Sequence, residues 1–203
     1  AELLATLEGY NIDAHYEKVG ETEVATNPGA VDDLREAYEE EKAAGDDVVW
    51  FDKEAMREQV NSPTYLAGLW RRDGQDGTID PARVCWGLKK VLLELGVRIF
   101  ENTRLLNTEP MDESRMKSAC SGGLIESDKV LMATNGYSNP VGKVSRTVIP
   151  VWDYQIATEP LNEEQLASIG WHKTRHALGN HANMFHYYRM TKDNRITWGG
   201  GGA

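Results

Sequence analysis

Four of the chain's five histidines, His172, His176, His181 and His186, fall within 15 residues of one another. His172 and His176 stand at i, i+4, a spacing that on a helix turns two imidazoles to one side, where they can ligate zinc. No glutamate follows His172 in the manner of a metalloprotease, and Gly170 and Gly179-Asn180 make the stretch read as loop. The reading is therefore no metal site. Trp152, Tyr154, His186 and Tyr188 lie in β-forming sequence and offer rings that attract an ammonium group by cation–π interaction. Aromatic residues on strands also serve as plain core, and that alternative stays open. Further upstream, Lys129–Met132 runs into Ala133-Thr134-Asn135-Gly136, small residues that let backbone amides approach a ligand beyond the carboxyl end of a strand. No acid–base dyad stands out.

The 203 residues carry 22 Lys and Arg against 32 Asp and Glu, a formal charge of −10. A surface this acidic repels phosphate backbones, and no local basic patch is evident, so nucleic acid is excluded as a partner. Glu36, Glu39, Glu40 and Glu41 share one expected helix and read as a solvated face. Cys85 and Cys120 belong to no pattern; Cys85 is expected to be a small buried thiol, and unpaired thiols fit a reducing cytoplasm. No apolar run is long enough for a membrane helix, and no signal peptide opens the chain. The first residues read as mid-helix and the last as the end of a strand, so the chain is expected to be an internal piece of a longer protein.

Hydrophobic spacing supplies the elements that would position these groups. Leu3, Leu4 and Leu7 form a helical stripe closed by Gly9. Residues 14–20 and 22–26 read as two strands around a Gly20-Glu21 turn. A polar helix follows over 31–44, then the strand 48–51 and a short helix capped by Asp52. Residues 66–70 form another strand, and Asp73–Gly77 a tight-turn loop. Asp80-Pro81 starts the strongest helix, with Val84, Leu88, Val91, Leu92 and Leu95 inward and Gly96 as its stop. Strands are expected at 97–101 and 129–133, a hairpin around Gly122-Gly123, a long β segment over 148–158, a helix opening at Asn162, and a hairpin of 184–190 with 195–198. Helices and strands alternate around 80–136, whereas hairpins dominate elsewhere. The fold class is α+β, a mixed α/β arrangement of two layers interleaved along the chain.

Several of these runs carry a family likeness. Gly77-Thr78-Ile79-Asp80-Pro81-Ala82-Arg83, Leu95–Thr103 and Val130–Tyr137 resemble the D-amino-acid oxidase and glycine oxidase superfamily. Pro150–Tyr154, Thr158-Glu159-Pro160-Leu161, Phe185–Arg189 and Asn194–Gly200 are similar to its gamma-glutamylputrescine oxidase branch. The resemblance implies an FAD-binding Rossmann-like domain interleaved with an antiparallel-sheet substrate domain. Residues 1–13 would close a flavin-domain helix, 14–76 and 148–203 would build the substrate domain, and 77–147 would belong to the flavin domain. It also implies that Leu105 meets the adenine side of FAD, that Ala133, Thr134, Asn135 and Gly136 border the cofactor, and that Gly199 and Gly200 approach the isoalloxazine. Arg189 matches the position where glycine oxidase relatives hold a substrate carboxylate, although an arginine paired with an acidic neighbour fits as well.

The implied chemistry is oxidation of a small-molecule amine or amino acid. Hydride passes to flavin, the imine hydrolyses, and oxygen restores the flavin; the cofactor supplies the redox step and the protein orients the amine. The family's Gly-x-Gly-x-x-Gly turn is missing, and the four glycines at 199–202 precede no helix, so they do not replace it. The chain alone is therefore expected to bind FAD weakly or not at all, to be inactive, and to self-associate through apolar surface. The alternative function is a non-catalytic module that binds a polyamine-like cation.

Overall fold

The structure, a computed structural model, describes residues 2–72, 77–137 and 146–201. The chain forms two compact units, Ala1–Val91 with Asp153–Gly202, and Leu92–Trp152. The first is built on a seven-stranded sheet of order β2-β3-β1-β8-β9-β10-β7. Its strands are β1 (Glu21–Ala25), β2 (Val48–Phe51), β3 (Ala67–Arg71), β7 (Gln155–Ala157), β8 (Ala177–Asn180), β9 (His186–Met190) and β10 (Ile196–Gly200). Every neighbouring pair is antiparallel except β1 with β8. The fold is mixed α/β with a mainly antiparallel sheet.

Register divides the sheet into two faces, because opposed residues in a ladder share a face and neighbours along a strand alternate. One face gathers Val24, Phe51, Leu178, Tyr188 and Met190, buried against Met56, Val60, Tyr65 and Trp171. Those partners come from the helices α3 (Lys53–Gln59) and α5 (Glu163–Ile169) and the loops around them. Tyr188 stacks on Trp198 with centroids 4.2 Å apart and rings 5° from parallel, and its hydroxyl meets that of Tyr65 at 2.6 Å. The other face buries Ala25, Ala67 and Leu69 under Ala30 and Leu34 of α2 (Pro28–Ala44). That helix contacts β1, β2 and β3.

Helix boundaries follow local chemistry. Asn27, Asp52 and Asn162 each accept an amide from the first turn of the helix they precede, and Asn162 with Gln165 completes a capping box. Asp80 does the same for α4 (Pro81–Glu94), accepting from Ala82 and Arg83 at 3.0 and 3.1 Å. α1 (Glu2–Gly9) buries Leu7. Among the described residues no helix is long and apolar enough to cross a membrane.

The second unit is a meander of β4 (Leu105–Pro110), β5 (Met116–Cys120) and β6 (Gly123–Ser127). Its apolar side chains find little cover: Phe100 is 62% exposed, Leu124 64% and Leu131 93%. The expected strands at 97–101 and 129–133 do not form, since no described segment lies alongside to complete their ladders. Only 155–157 of the long β segment is a strand. The expected hairpin over 14–26 is also absent. Gly20 at φ +66 turns the chain into β1, and upstream of it only Glu17 pairs, with Thr78. A Cβ at Gly20 would collide with the Arg71 carbonyl, so the turn there requires glycine. Cys85 is exposed, as are Leu92 and Leu95, contrary to the inward stripe read for α4. Most of the tight-turn loop, residues 73–76, lies outside the described residues.

His176 is fully buried against Trp70 and Phe51. Its Nδ1 lies 2.5 Å from the Thr22 hydroxyl, while Nε2 has no partner among the described residues. Burial lowers its pKa from 6.5 to about 4. Between those values the unfolded chain binds more protons than the folded one, so stability rises with pH and the contribution is complete above 6.5. We expect the urea midpoint to fall as pH is lowered through this window, with His176 accounting for about 3 kcal/mol. A His176→Gln variant should lack that component of the pH dependence.

Candidate functional site

Beyond the edge of α2, strands β8, β9, β10 and β7 continue the face that α2 covers elsewhere. Tyr187 and Arg189 project from it, because Tyr188 and Met190 point into the core on the other side. Gly179 and Gly199 flank Tyr187 in register, so neither strand raises a side chain beside its ring. At Gly199 this is a requirement: a Cβ there would lie 2.6 Å from Cζ of Tyr187.

Tyr187 is fixed at its tip. Its hydroxyl donates to Oδ2 of Asp153 at 2.7 Å and accepts from Nε2 of Gln155 at 3.0 Å. Oδ1 of Asp153 accepts the amides of Tyr154 and Gly200 at 2.7 and 3.1 Å. The Tyr187 hydrogen bond, followed by these amides, holds the exposed Asp153 carboxyl below its usual range. One carboxylate thus ties the start of the β7 segment to β9 and to the end of β10, and a held phenol stands over bare backbone. Polar groups fixed in advance in this way orient a small ligand without reorganising when it binds.

Two cavities border this face. One, of about 490 Å³, contains Arg189 together with His15, Lys192 and Thr191. The other, of about 580 Å³, lies past Gly179 and is lined by Glu21, Glu23, Asp33 and His181. There His181 Nδ1 meets Glu23 at 2.7 Å, and Glu23 also receives Arg71 at 3.0 Å. Arg71 chelates Glu41 as well, and these hydrogen bonds raise its pKa.

The residues singled out from sequence separate in space. Arg189 is on the open face. Tyr188 is in the core of the opposite face, where burial pushes its phenol pKa up, and His186 lies on that same face with its ring 5.6 Å from Trp198. Tyr154 is 71% exposed. Trp152 belongs to the 92–152 unit, where it meets Tyr137 edge-on at 5.8 Å. Leu105 opens β4 opposite Cys120. Ala133 and Thr134 are irregular, and Asn135-Gly136 begin a 3-10 turn in which Asn135 is left-handed at φ 46. Gly199 lies under Tyr187, and Gly200, at φ 114, donates its amide to Asp153. The histidines serve structure: His172 bonds the Leu166 carbonyl and His176 packs in the core. Among the described residues no group of three His, Cys, Asp or Glu is placed to hold a metal.

Tyr187, Asp153 and Gln155 were not singled out in advance, and neither was Lys192. Alternation carried part of the signal. In His186-Tyr187-Tyr188-Arg189-Met190 the apolar Met190 marks the core parity, which puts Tyr187 with Arg189 rather than with Tyr188.

A dinucleotide pyrophosphate needs free backbone amides at a glycine turn opening a helix. Here the N-termini of α2, α3, α4 and α5 are each closed by their own side-chain cap. The described residues therefore do not fit the phosphate end of FAD.

Comparison with known proteins places the chain. The family model DAO, FAD dependent oxidoreductase, matches residues 1–203. A probable oxidoreductase, OrdL, of Haemophilus influenzae is 29% identical over 200 residues, covering 95% of this chain and 45% of the relative. The gamma-glutamylputrescine oxidoreductase of Escherichia coli is 26% identical over 195 residues, covering 95% of this chain and 44% of that protein. The chain thus spans under half the length of these relatives. Glycine oxidase from Geobacillus kaustophilus shares the fold with a TM-score of 0.77 at 17% identity, over 99% of this chain and 53% of that one. L-proline dehydrogenase from P. horikoshii gives 0.72 at 18% identity, over 98% and 53%. The chain belongs to the DAO family of FAD-dependent oxidoreductases.

Proposed function

We propose that the whole protein oxidises a small-molecule amine or amino acid with FAD, and that the open face of the seven-stranded sheet is the wall against which the substrate lies. The observation that carries this reading is the Tyr187–Asp153–Gln155 group standing over Gly199 on a sheet face left uncovered between α2 and β7. Family membership supplies the redox class. This chain's part is positioning: Tyr187 and Asp153 present a phenol and a carboxylate to an amine, and Gly179 and Gly199 leave room beside them. Leu105 and Ala133–Gly136, in the 92–152 unit, are the residues this reading gives to cofactor contact.

An absorbance scan of the whole protein, followed by anaerobic addition of putrescine-type amines, tests the class. A flavin band that bleaches supports the reading; a colourless protein that stays colourless with added FAD favours a cation-binding module instead. Asp153→Ala tests the wall. Asp153 is exposed, so the melting temperature should hardly move, whereas kcat/KM should fall roughly tenfold or more as Tyr187 and the Gly200 amide lose their anchor. An unchanged kcat/KM would place the substrate elsewhere.

A further inference from the structure

We propose that Gly179 is a specificity-determining position of the substrate wall: it leaves a bare slot across β8 that admits the hydrocarbon chain of a long, unbranched amine. The inference rests on the substrate wall proposed above.

A glycine inside a strand weakens it, and its presence marks a bulge, a tight bend or a close approach by another group. The seven-stranded sheet contains four, and local geometry accounts for three of them. At Gly68 a Cβ would stand 2.7 Å from Sδ of Met56, and at Gly199 it would stand 2.6 Å from Cζ of Tyr187. Gly200 is left-handed at φ 114, and a Cβ there would collide with the Phe185 carbonyl. Gly179 has no such reason. Its backbone lies outside the left-handed region and pairs in regular register with β1 and β9. A Cβ would meet Oε1 of Glu21 at 3.6 Å and the His186 carbonyl at 3.7 Å, both ordinary contacts. The fold would accept a side chain at this position, and the chain carries none.

Register shows what the missing side chain leaves open. Gln155, Gly199, Tyr187, Gly179 and Glu23 follow one another across β7, β10, β9, β8 and β1 on a single face. The Tyr187 ring is laid over Gly199, its hydroxyl 2.7 Å from where a Cβ would be, so it leans away from Gly179. On the other side, Glu23 is drawn into its bonds with Arg71 and His181. Between ring and carboxylate the Gly179 backbone is the floor of the cavity of about 580 Å³. Leu178 beside it is in the core, so a side chain at 179 would point into that cavity.

The chemistry of the slot follows from its floor. The peptide groups of Gly179 sit in ladders on both sides, so they offer close contact to methylene groups rather than free hydrogen bonds. From the phenol tip above Gly199 to Gly179 is two strand spacings, roughly 10 Å. An extended chain of about eight saturated carbons spans that distance, whereas ethylamine stays beside Tyr187. A methyl group at 179 would stand in the path of the long chain and clear of the short one.

The test is steady-state turnover of octylamine and ethylamine by the whole protein, with anaerobic calorimetric titration of both, in Gly179→Ala and Gly179→Val. We expect the octylamine-to-ethylamine ratio of kcat/KM to fall about tenfold in Gly179→Ala and further in Gly179→Val. The melting temperature of Gly179→Ala should not drop, because alanine is the better strand residue. A ratio unchanged in both variants would overturn the proposal, even if both amines lose activity together, since a general disturbance of the sheet does that. If neither amine is oxidised but octylamine binds, and its affinity falls about tenfold in Gly179→Ala, the slot stands and the oxidase reading fails. If both amines are oxidised and the ratio holds, the oxidase reading stands and the slot falls. Octylamine that neither reacts nor binds would also overturn the slot.

Discussion

Burial of Tyr188 and Met190 on β9 is the constraint from which the rest of the site follows. Both are within the core, Met190 fully and Tyr188 nearly so, and β9 is held on both sides by antiparallel ladders to β8 and β10. With the period of a strand fixed at two, sinking those residues lifts Tyr187 and Arg189 to the opposite face. A slip of one residue would exchange the pairs and bury an arginine, a cost no ladder of this length would offset. The stacked Trp198 and the Tyr65 hydroxyl lock the parity further. The candidate site is therefore set by packing on the far side of the sheet, as much as by the groups that form it.

The two faces do different work. The one that meets α3 and α5 is apolar and aromatic, with the Tyr65–Tyr188 hydroxyl pair bonded within it. The other is divided: α2 seals β2, β3 and β1 through small and apolar residues, and beyond its edge the same face turns polar. There the polar groups are organised in series. Asp153 gathers Tyr187 with the Gly200 amide, while Glu17, Asp80 and Asp193 are each matched by a donor.

Much of this was legible from sequence where the determining interaction is local. The caps at Asp52, Asp80 and Asn162, the Gly96 stop, and the β9–β10 hairpin all rest on contacts a few residues long. Strand β8 escaped because Gly179-Asn180 reads as turn; it is a strand because β1 and β9 flank it, a long-range circumstance that spacing does not carry. The opposite error, at 97–101 and 129–133, has the same origin: β-prone residues lacking a neighbour stay irregular. At the site, rings were chosen by type, and so His186 and Tyr188 were grouped with Arg189 although alternation separates them.

The most direct measurement is a crystal structure of the whole protein with FAD and a non-oxidisable amine analogue bound. The analogue is expected against Tyr187 and Asp153, on the face of the sheet that carries Arg189 and with the flavin ring on that side. An analogue lodged instead against His186, Tyr188 and Trp198, or bound away from the sheet altogether, would contradict it.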